Sequence, residues 1–217
     1  MNTVIFDLDG TLSDSAEGIV KSINYALPRL GYDEVAENEL RRYIGPPLYY
    51  TFENLTGIKE EDFLLKAVTI FRERYFSIGY RENVLYDGIK DVLEHLVKLE
   101  NILCIATTKR KDIAENVLGL FGIEKYFTQV HGTDIYRKKV DLLRDMINDP
   151  ALNKRPMIMI GDRDTDFKAA NEVNMPSIAV KWGYGNEKEF EYATRIVEKP
   201  EQLLEAIQKN ARKVEEI

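Results

Sequence analysis

Short apolar runs recur along the chain at Thr3–Phe6, Ile102–Thr107, Phe127–Val130, Met157–Ile160 and Ser177–Val180. Each is continuous rather than alternating and is bounded by turn or charged residues, the pattern of a strand buried on both faces. The stretches between them carry helical spacing. Ile89, Val92, Leu93, Leu96 and Val97 share one face. Ile113, Val117 and Phe121 share another, with Gly122 as the stop, and Leu203, Leu204 and Ile207 repeat the pattern near the C-terminus. Strands alternating with amphipathic helices predict a doubly wound, mostly parallel α/β sheet.

The segment from about Ser15 to Arg81 breaks this rhythm. Ile19, Ile23, Ala26, Leu27 and Leu30 form one helical stripe, and Phe63, Leu64, Ala67, Phe71 and Tyr75 form another. Between them "YIGPPLYYTF" holds a Gly-Pro-Pro break followed by a short helix. The expectation is an all-helical domain inserted after the first strand, over 15–85. The core would then comprise 1–14 and 86–217, and the chain would cross between them near Asp14 and again near Tyr86-Asp87-Gly88.

Composition narrows the function classes. A net charge of −7 argues against a nucleic-acid or anionic-membrane surface binder, while a local anionic-ligand site stays open. Cys104 is the only cysteine, sits in an apolar run and reads as a buried small hydrophobe, so a reducing cytoplasm is the expected compartment. No apolar run is long enough to span a bilayer, and "MNTVIFD" reaches a charge too soon for a signal peptide. The oligomeric expectation is a monomer or a homodimer.

The chemistry lies in the turns that follow the strands. "VIFDLDGTLSD" puts Asp7 and Asp9 one residue apart just past a buried strand, and "MIMIGDRDTD" puts Asp162, Asp164 and Asp166 past another. In an open α/β sheet both turns lie at the carboxyl edge, where ligands bind. Four or five converging carboxylates either raise their own pKa values or take a cation. All-oxygen ligands without His or Cys favour a hard ion, and Mg²⁺ suits a site that also takes up phosphate. A turn or a helix N-cap accounts for either segment alone. An EF-hand does not: it needs Gly at position six and Glu at twelve, whereas Gly10 is fourth and position twelve is Gly18. Thr107 and Thr108 end the second run, and "YRKKVDLL" supplies a lysine at a helix start. A cation, hydroxyl donors, a helix N-terminus and a lysine together describe a phosphate site. Val140, Leu143 and Ile147 set the helix phase and favour Lys139 over Lys138 as that lysine.

These residues resemble the haloacid dehalogenase-like superfamily, from Val4 through about Gly185, and within it the phosphoglycolate-phosphatase-like and β-phosphoglucomutase-like group. The D-x-D-G-T motif stands as Asp7, Leu8, Asp9, Gly10 and Thr11. The later motifs stand as Thr107, a lysine (Lys139 or Lys138) and G-D-x-x-x-D at Gly161, Asp162 and Asp166. The resemblance implies a Rossmann-like core with a helical cap. It implies Asp7 as nucleophile, Asp9 as general acid and base, and Mg²⁺ held by Asp7, the Asp9 carbonyl and Asp162, with Asp166 behind them. Thr107, Thr108, the lysine and the backbone around Gly10 would bind the phosphoryl group. An aspartate at position 9 favours phosphate esters, because an alkoxide needs a proton and a halide does not.

The implied activity is Mg²⁺-dependent hydrolysis of a small phosphorylated metabolite: phosphoglycolate, a 5′-nucleotide or a sugar phosphate. A phosphomutase sharing the same core and a non-catalytic binding protein are the alternatives. "RRYIGPPL" resembles a cap loop that reaches the site, making Arg42 and Gly45 candidate substrate contacts. Trp182 and Tyr184 in "VKWGYG", and Tyr43, Tyr49 and Tyr50, read as packing residues. His95 and His131 lack any partner spacing that suggests metal or triad chemistry.

Overall fold

The computed structural model describes residues 1–133 and 137–214, with side chains through Lys209. β1 (Thr3–Phe6) is the central strand, and β2 (Ser13–Asp14) follows one turn later. The helices α1 (Ala16–Arg29), α2 (Glu37–Leu40), α3 (Leu48–Thr56) and α4 (Glu61–Ser77) come next, and β3 (Val84–Leu85) returns the chain. The remainder alternates: α5 (Ile89–Lys98), β4 (Ile102–Thr107), α6 (Lys111–Phe121), β5 (Gln129–Gly132), α7 (Lys139–Asn148), β6 (Met157–Gly161), α8 (Asp164–Glu172), β7 (Ser177–Val180), α9 (Glu187–Phe190), β8 (Arg195–Val197) and α10 (Gln202–Val214).

Six strands form one parallel sheet in the order β5-β4-β1-β6-β7-β8. β1 pairs with β4 on one side (Thr3↔Ile102) and β6 on the other (Thr3↔Met157). The chain therefore winds outward in both directions from the centre. A crevice opens at the carboxyl ends of the middle strands, the switch point of this topology.

Strand alternation divides the core. Val4 and Phe6 face α5, α6 and α10, whereas Ile5 faces α7 and α8 with Cys104, Leu143, Met146 and Ala170. The Asp7 N–H donates to the Ile160 carbonyl at 2.8 Å, extending the ladder one residue past β1. Asp7 thus keeps the parity of Ile5 and is delivered to the side where α7 and α8 begin.

The helices of 16–77 bury a cluster of their own. Ile23, Ala26, Leu27, Phe52, Ala67 and Phe71 are at its centre, with Phe52 edge-on to Phe71. The two chain crossings pair antiparallel, Ser13↔Leu85 and Asp14↔Val84, and so form a two-stranded base beneath the helices. Arg74 and Glu82 reinforce that base with a half-buried ion pair at 2.8 Å.

Three local readings change. The third strand runs Gln129–Gly132, not Phe127–Val130, because Phe127 packs edge-on against Phe6 and serves as a core plug leading into the strand. Val97 is 41% exposed. The stripe closes on Ile89, Val92, Leu93 and Leu96, and the eighth position on lies past its edge. Short β8 and the two-residue strands of the base add to the expected set. No described helix is long and apolar enough to cross a membrane.

Leu93→Ala should cost about 2–5 kcal/mol of stability and Val97→Ala under about 1 kcal/mol, read by chemical denaturation. Equal losses would contradict the stripe.

Candidate active site

The site is built from turns that follow β1, β4 and β6 and from the first residues of α7 and α8. Asp7 leaves β1, and Asp162 leaves β6. Asp166 stands in the first turn of α8, where its Oδ2 accepts the Arg163 N–H at 3.0 Å. One carboxylate oxygen from each of Asp7, Asp162 and Asp166 lies within 4.8 Å of the other two, and all three residues are buried.

Lys139, the first residue of α7, is also buried. Its ammonium group lies 3.0 Å from Asp7 Oδ2 and contacts Asp166 Oδ1. Lys138 is exposed, so of the two lysines it is Lys139 that stands among the carboxylates. Asp162 is held on both oxygens, by the Thr11 hydroxyl at 3.2 Å and the Tyr184 N–H at 2.8 Å. Asp164 does not join the cluster. It pairs with Lys168 one helical turn along, because helix geometry turns it away from Asp166.

Asp9 has a different environment. Its Oδ2 lies 2.8 Å from Lys109, and its side chain stands outside the three-carboxylate group. Asp9 helps line a crevice of about 110 Å³ between the sheet edge and the helical insert. Gly45, Thr108, Lys109, Arg72 and Tyr75 also line it. Thr107 is buried at the end of β4, and its hydroxyl oxygen accepts the Lys109 N–H at 3.2 Å.

Several expectations are redrawn by these contacts. Gly10 contributes space, not a donor, since its N–H is given to the Ser13 carbonyl at 2.8 Å. Its φ is +79°, and a Cβ there would fall 2.2 Å from Asp162 Oδ2. The Thr108 hydroxyl donates to the Gly45 carbonyl at 3.0 Å, so in this arrangement it fastens the insert to the core. Gly45 does reach the crevice, but Arg42 does not. Arg42 is exposed over the Tyr43 ring, and only its carbonyl faces the core, toward Arg163. Arg163 donates to the Ile44 carbonyl and lies 2.8 Å from Glu189. Tyr184 is more than packing: its hydroxyl donates to Asp14 at 2.8 Å and accepts the Ser15 N–H. Trp182 packs, with its indole N–H given to the Thr11 carbonyl. Lys109, Arg163 and Tyr184 carried no spacing signal, since each finds its partner only through the folded topology.

The electrostatics are unbalanced. Asp7, Asp9, Asp162 and Asp166 face Lys109 and Lys139 within one buried region, while Arg163 and Glu189 neutralise each other. Fully ionised, the region carries two more negative than positive charges. Burial raises the Asp7 carboxyl to about 6; Lys139 opposes this, and Asp166 and Asp9 add to it. Burial, then Asp166 and Asp7, also push Asp162 well above the usual carboxylate range. Burial would lower the Lys139 ammonium, but Asp166 and Asp7 outweigh it and hold its pKa above the ordinary value. Asp7 Oδ1 is buried without a hydrogen-bond partner. Three carboxylates with oxygens in mutual reach and an excess of two negative charges fit a hard divalent cation.

The sequence model for haloacid dehalogenase-like hydrolases matches residues 4–180. This chain belongs to that family. It is 36% identical over 190 residues to the 5′-nucleotidase of Pseudomonas aeruginosa, with 86% of each chain covered. It is 38% identical over 186 residues to the tyrosine-protein kinase PtkA of Mycobacterium tuberculosis, covering 84% of this chain and 62% of that one. The phosphoglycolate phosphatase of Vibrio parahaemolyticus is 28% identical over 193 residues, at 84% and 85% coverage. The crystal structure of a predicted phosphatase from Clostridium acetobutylicum matches this family member with a TM-score of 0.90 at 33% identity, over 96% of this chain and 98% of that one.

A cation bound at this cluster would compete with a proton for Asp7. Without a cation, the raised Asp7 pKa contributes stability that is complete below its ordinary 3.8 and lost as pH rises through about 6. Added Mg²⁺ should therefore raise Tm by about 5 °C at about pH 7.5 and by less than half of that near pH 5, read by calorimetry. Equal increments would contradict cation binding at this cluster.

Proposed function

We propose that this hydrolase cleaves small phosphate monoesters through an aspartyl phosphate on Asp7, with Mg²⁺ as cofactor. One observation carries the reading. Asp7 sits at the carboxyl end of the central strand with Oδ2 held 3.0 Å from Lys139 and Oδ1 buried and unpartnered. A nucleophilic carboxylate needs this combination of one oxygen fixed and one left for phosphorus.

Asp7, Asp162 and the main-chain carbonyl of Asp9 would hold Mg²⁺, and Asp166 would hold the lysine beside them. When bound, the ion supplies positive charge against the phosphoryl oxygens. Lys139 and the Thr107 hydroxyl bind those oxygens as well. An Asp7 oxygen forms a bond to phosphorus while the ester P–O bond breaks. The ester oxygen keeps that electron pair and takes the proton from Asp9. The alcohol leaves. Asp9, now a carboxylate, takes a proton from water as the water oxygen bonds to phosphorus. The Asp7–phosphorus bond breaks, its electron pair returns to Asp7, and inorganic phosphate is released.

The helical insert, 15–85, acts as the cap in this reading. It covers the crevice with apolar and aromatic side chains such as Tyr43, Phe71 and Phe76. Exclusion of bulk water there strengthens every charge interaction beneath it. Phosphatase relatives and the aspartate at position 9 support an ester rather than a carbon–halogen substrate. Small metabolites such as phosphoglycolate, 5′-nucleotides and sugar phosphates are the class to screen.

A panel of such monoesters with Mg²⁺ should give measurable kcat/KM on at least one member, and EDTA should abolish it until Mg²⁺ is restored. Asp7→Asn should lower turnover at least about 1,000-fold. A variant keeping most of its activity would remove Asp7 from the role of nucleophile.

A further inference from the structure

Beside the phosphate site lies a second buried cation that the steps above leave unused. Lys109 follows the Thr107–Thr108 turn. Its ammonium group is 2.8 Å from Asp9 Oδ2 and 2.6 Å from the Tyr75 hydroxyl. The side chains of Lys109 and Asp9 are 7% and 12% exposed, so neither is solvated enough to move at little cost. Tyr75 belongs to α4 of the insert, not to the sheet. It is 3% exposed, and its ring stacks on Phe71 at 5.2 Å.

These contacts form a chain of constraint. Packing against Phe71 fixes the Tyr75 ring and hence its hydroxyl. That hydroxyl fixes one direction of an ammonium group which otherwise sits on a flexible four-carbon stem. The ammonium group in turn fixes Asp9 Oδ2. Asp9 Oδ1 is left buried without a hydrogen-bond partner, on a residue that lines the crevice. Such an atom is placed to meet a ligand oxygen.

We propose that Lys109 and Tyr75 are positioning residues for Asp9: the insert, through Tyr75, orients the ammonium group that aims the acid's second oxygen at the substrate's leaving group. The inference rests on the reading of Asp9 as general acid. The aspartate is then correctly aimed only when α4 is seated on the core. Proton delivery to the alcohol is tied to closure over the substrate, and the open enzyme lacks an aligned acid.

Leaving groups distinguish positioning from simple structural support. 4-Nitrophenolate departs without a proton, whereas phenolate from phenyl phosphate needs one. Purified full-length Tyr75→Phe should lose about 10-fold more kcat/KM on phenyl phosphate than on 4-nitrophenyl phosphate. Lys109→Met should show the same selectivity, and Tyr75→Phe, which keeps the ring, carries the test should the lysine variant fail to fold. Asp9→Asn is the reference and should be the most selective of the three. Equal losses on both esters from Tyr75→Phe, or no loss, with Asp9→Asn still selective, overturn the positioning role alone. An Asp9→Asn variant that loses both esters equally overturns the acid assignment and the inference built on it.

Discussion

An excess of buried negative charge governs this structure. Four carboxylates and two ammonium groups share the carboxyl edge of the sheet, with little water to screen them. Leaving one charge of a buried pair uncompensated costs about 3–5 kcal/mol, a large share of what a domain of this size has to spare. Such a cluster persists where the fold pins each member and where protons or a cation offset the excess. The backbone and hydroxyl donors on Asp162 and Asp166 do the pinning. One oxygen each of Asp7 and Asp9 is buried without a hydrogen-bond partner from the chain.

The sheet explains why these groups meet. β1 has a parallel neighbour on each side, so three turns emerge side by side at one edge. The turn that follows Asp7 then separates two aspartates that strand parity alone would leave on one face. Asp7 continues the Ile5 face toward α7 and α8 and meets Lys139 and Asp166. Asp9, past the turn, meets Lys109 and the crevice. One carboxylate is thereby supplied with a cation and carboxylate partners, and the other with a single lysine and an open side. Two chemically identical residues acquire environments suited to different tasks.

What the sequence disclosed follows from the range of the interactions concerned. Continuous apolar runs located β1, β4, β6 and β7, because burial on both faces leaves a local signature. β5 slipped by two residues because Phe127 is apolar for a tertiary reason, its contact with Phe6. β8 and the paired base strands are too short to show a period. The carboxylates were legible because they crowd immediately behind strands, and Lys139 because helix phase is local. Charge and position alone do not tell Asp164 from Asp166, which the G-D-x-x-x-D spacing singles out, and the turn of α8 sends Asp164 to Lys168 instead. Tyr75–Lys109 and Arg163–Ile44 join residues 34 and 119 positions apart, where no local pattern can announce them.

Those long-range contacts share one design. Several side chains that fasten the insert lie within two residues of one expected at the acidic site, or belong to a residue that binds that site through its backbone. Arg163, which holds the Ile44 carbonyl, follows Asp162. Thr108, which holds the Gly45 carbonyl, follows Thr107, and Lys109, which holds Tyr75, comes next. Tyr184 binds Asp162 through its N–H and the start of the insert through its hydroxyl. A turn that has delivered one residue to the site presents the next outward, to whatever lies above the sheet edge. The same turns therefore carry both the acidic residues and the contacts that hold the insert to the core.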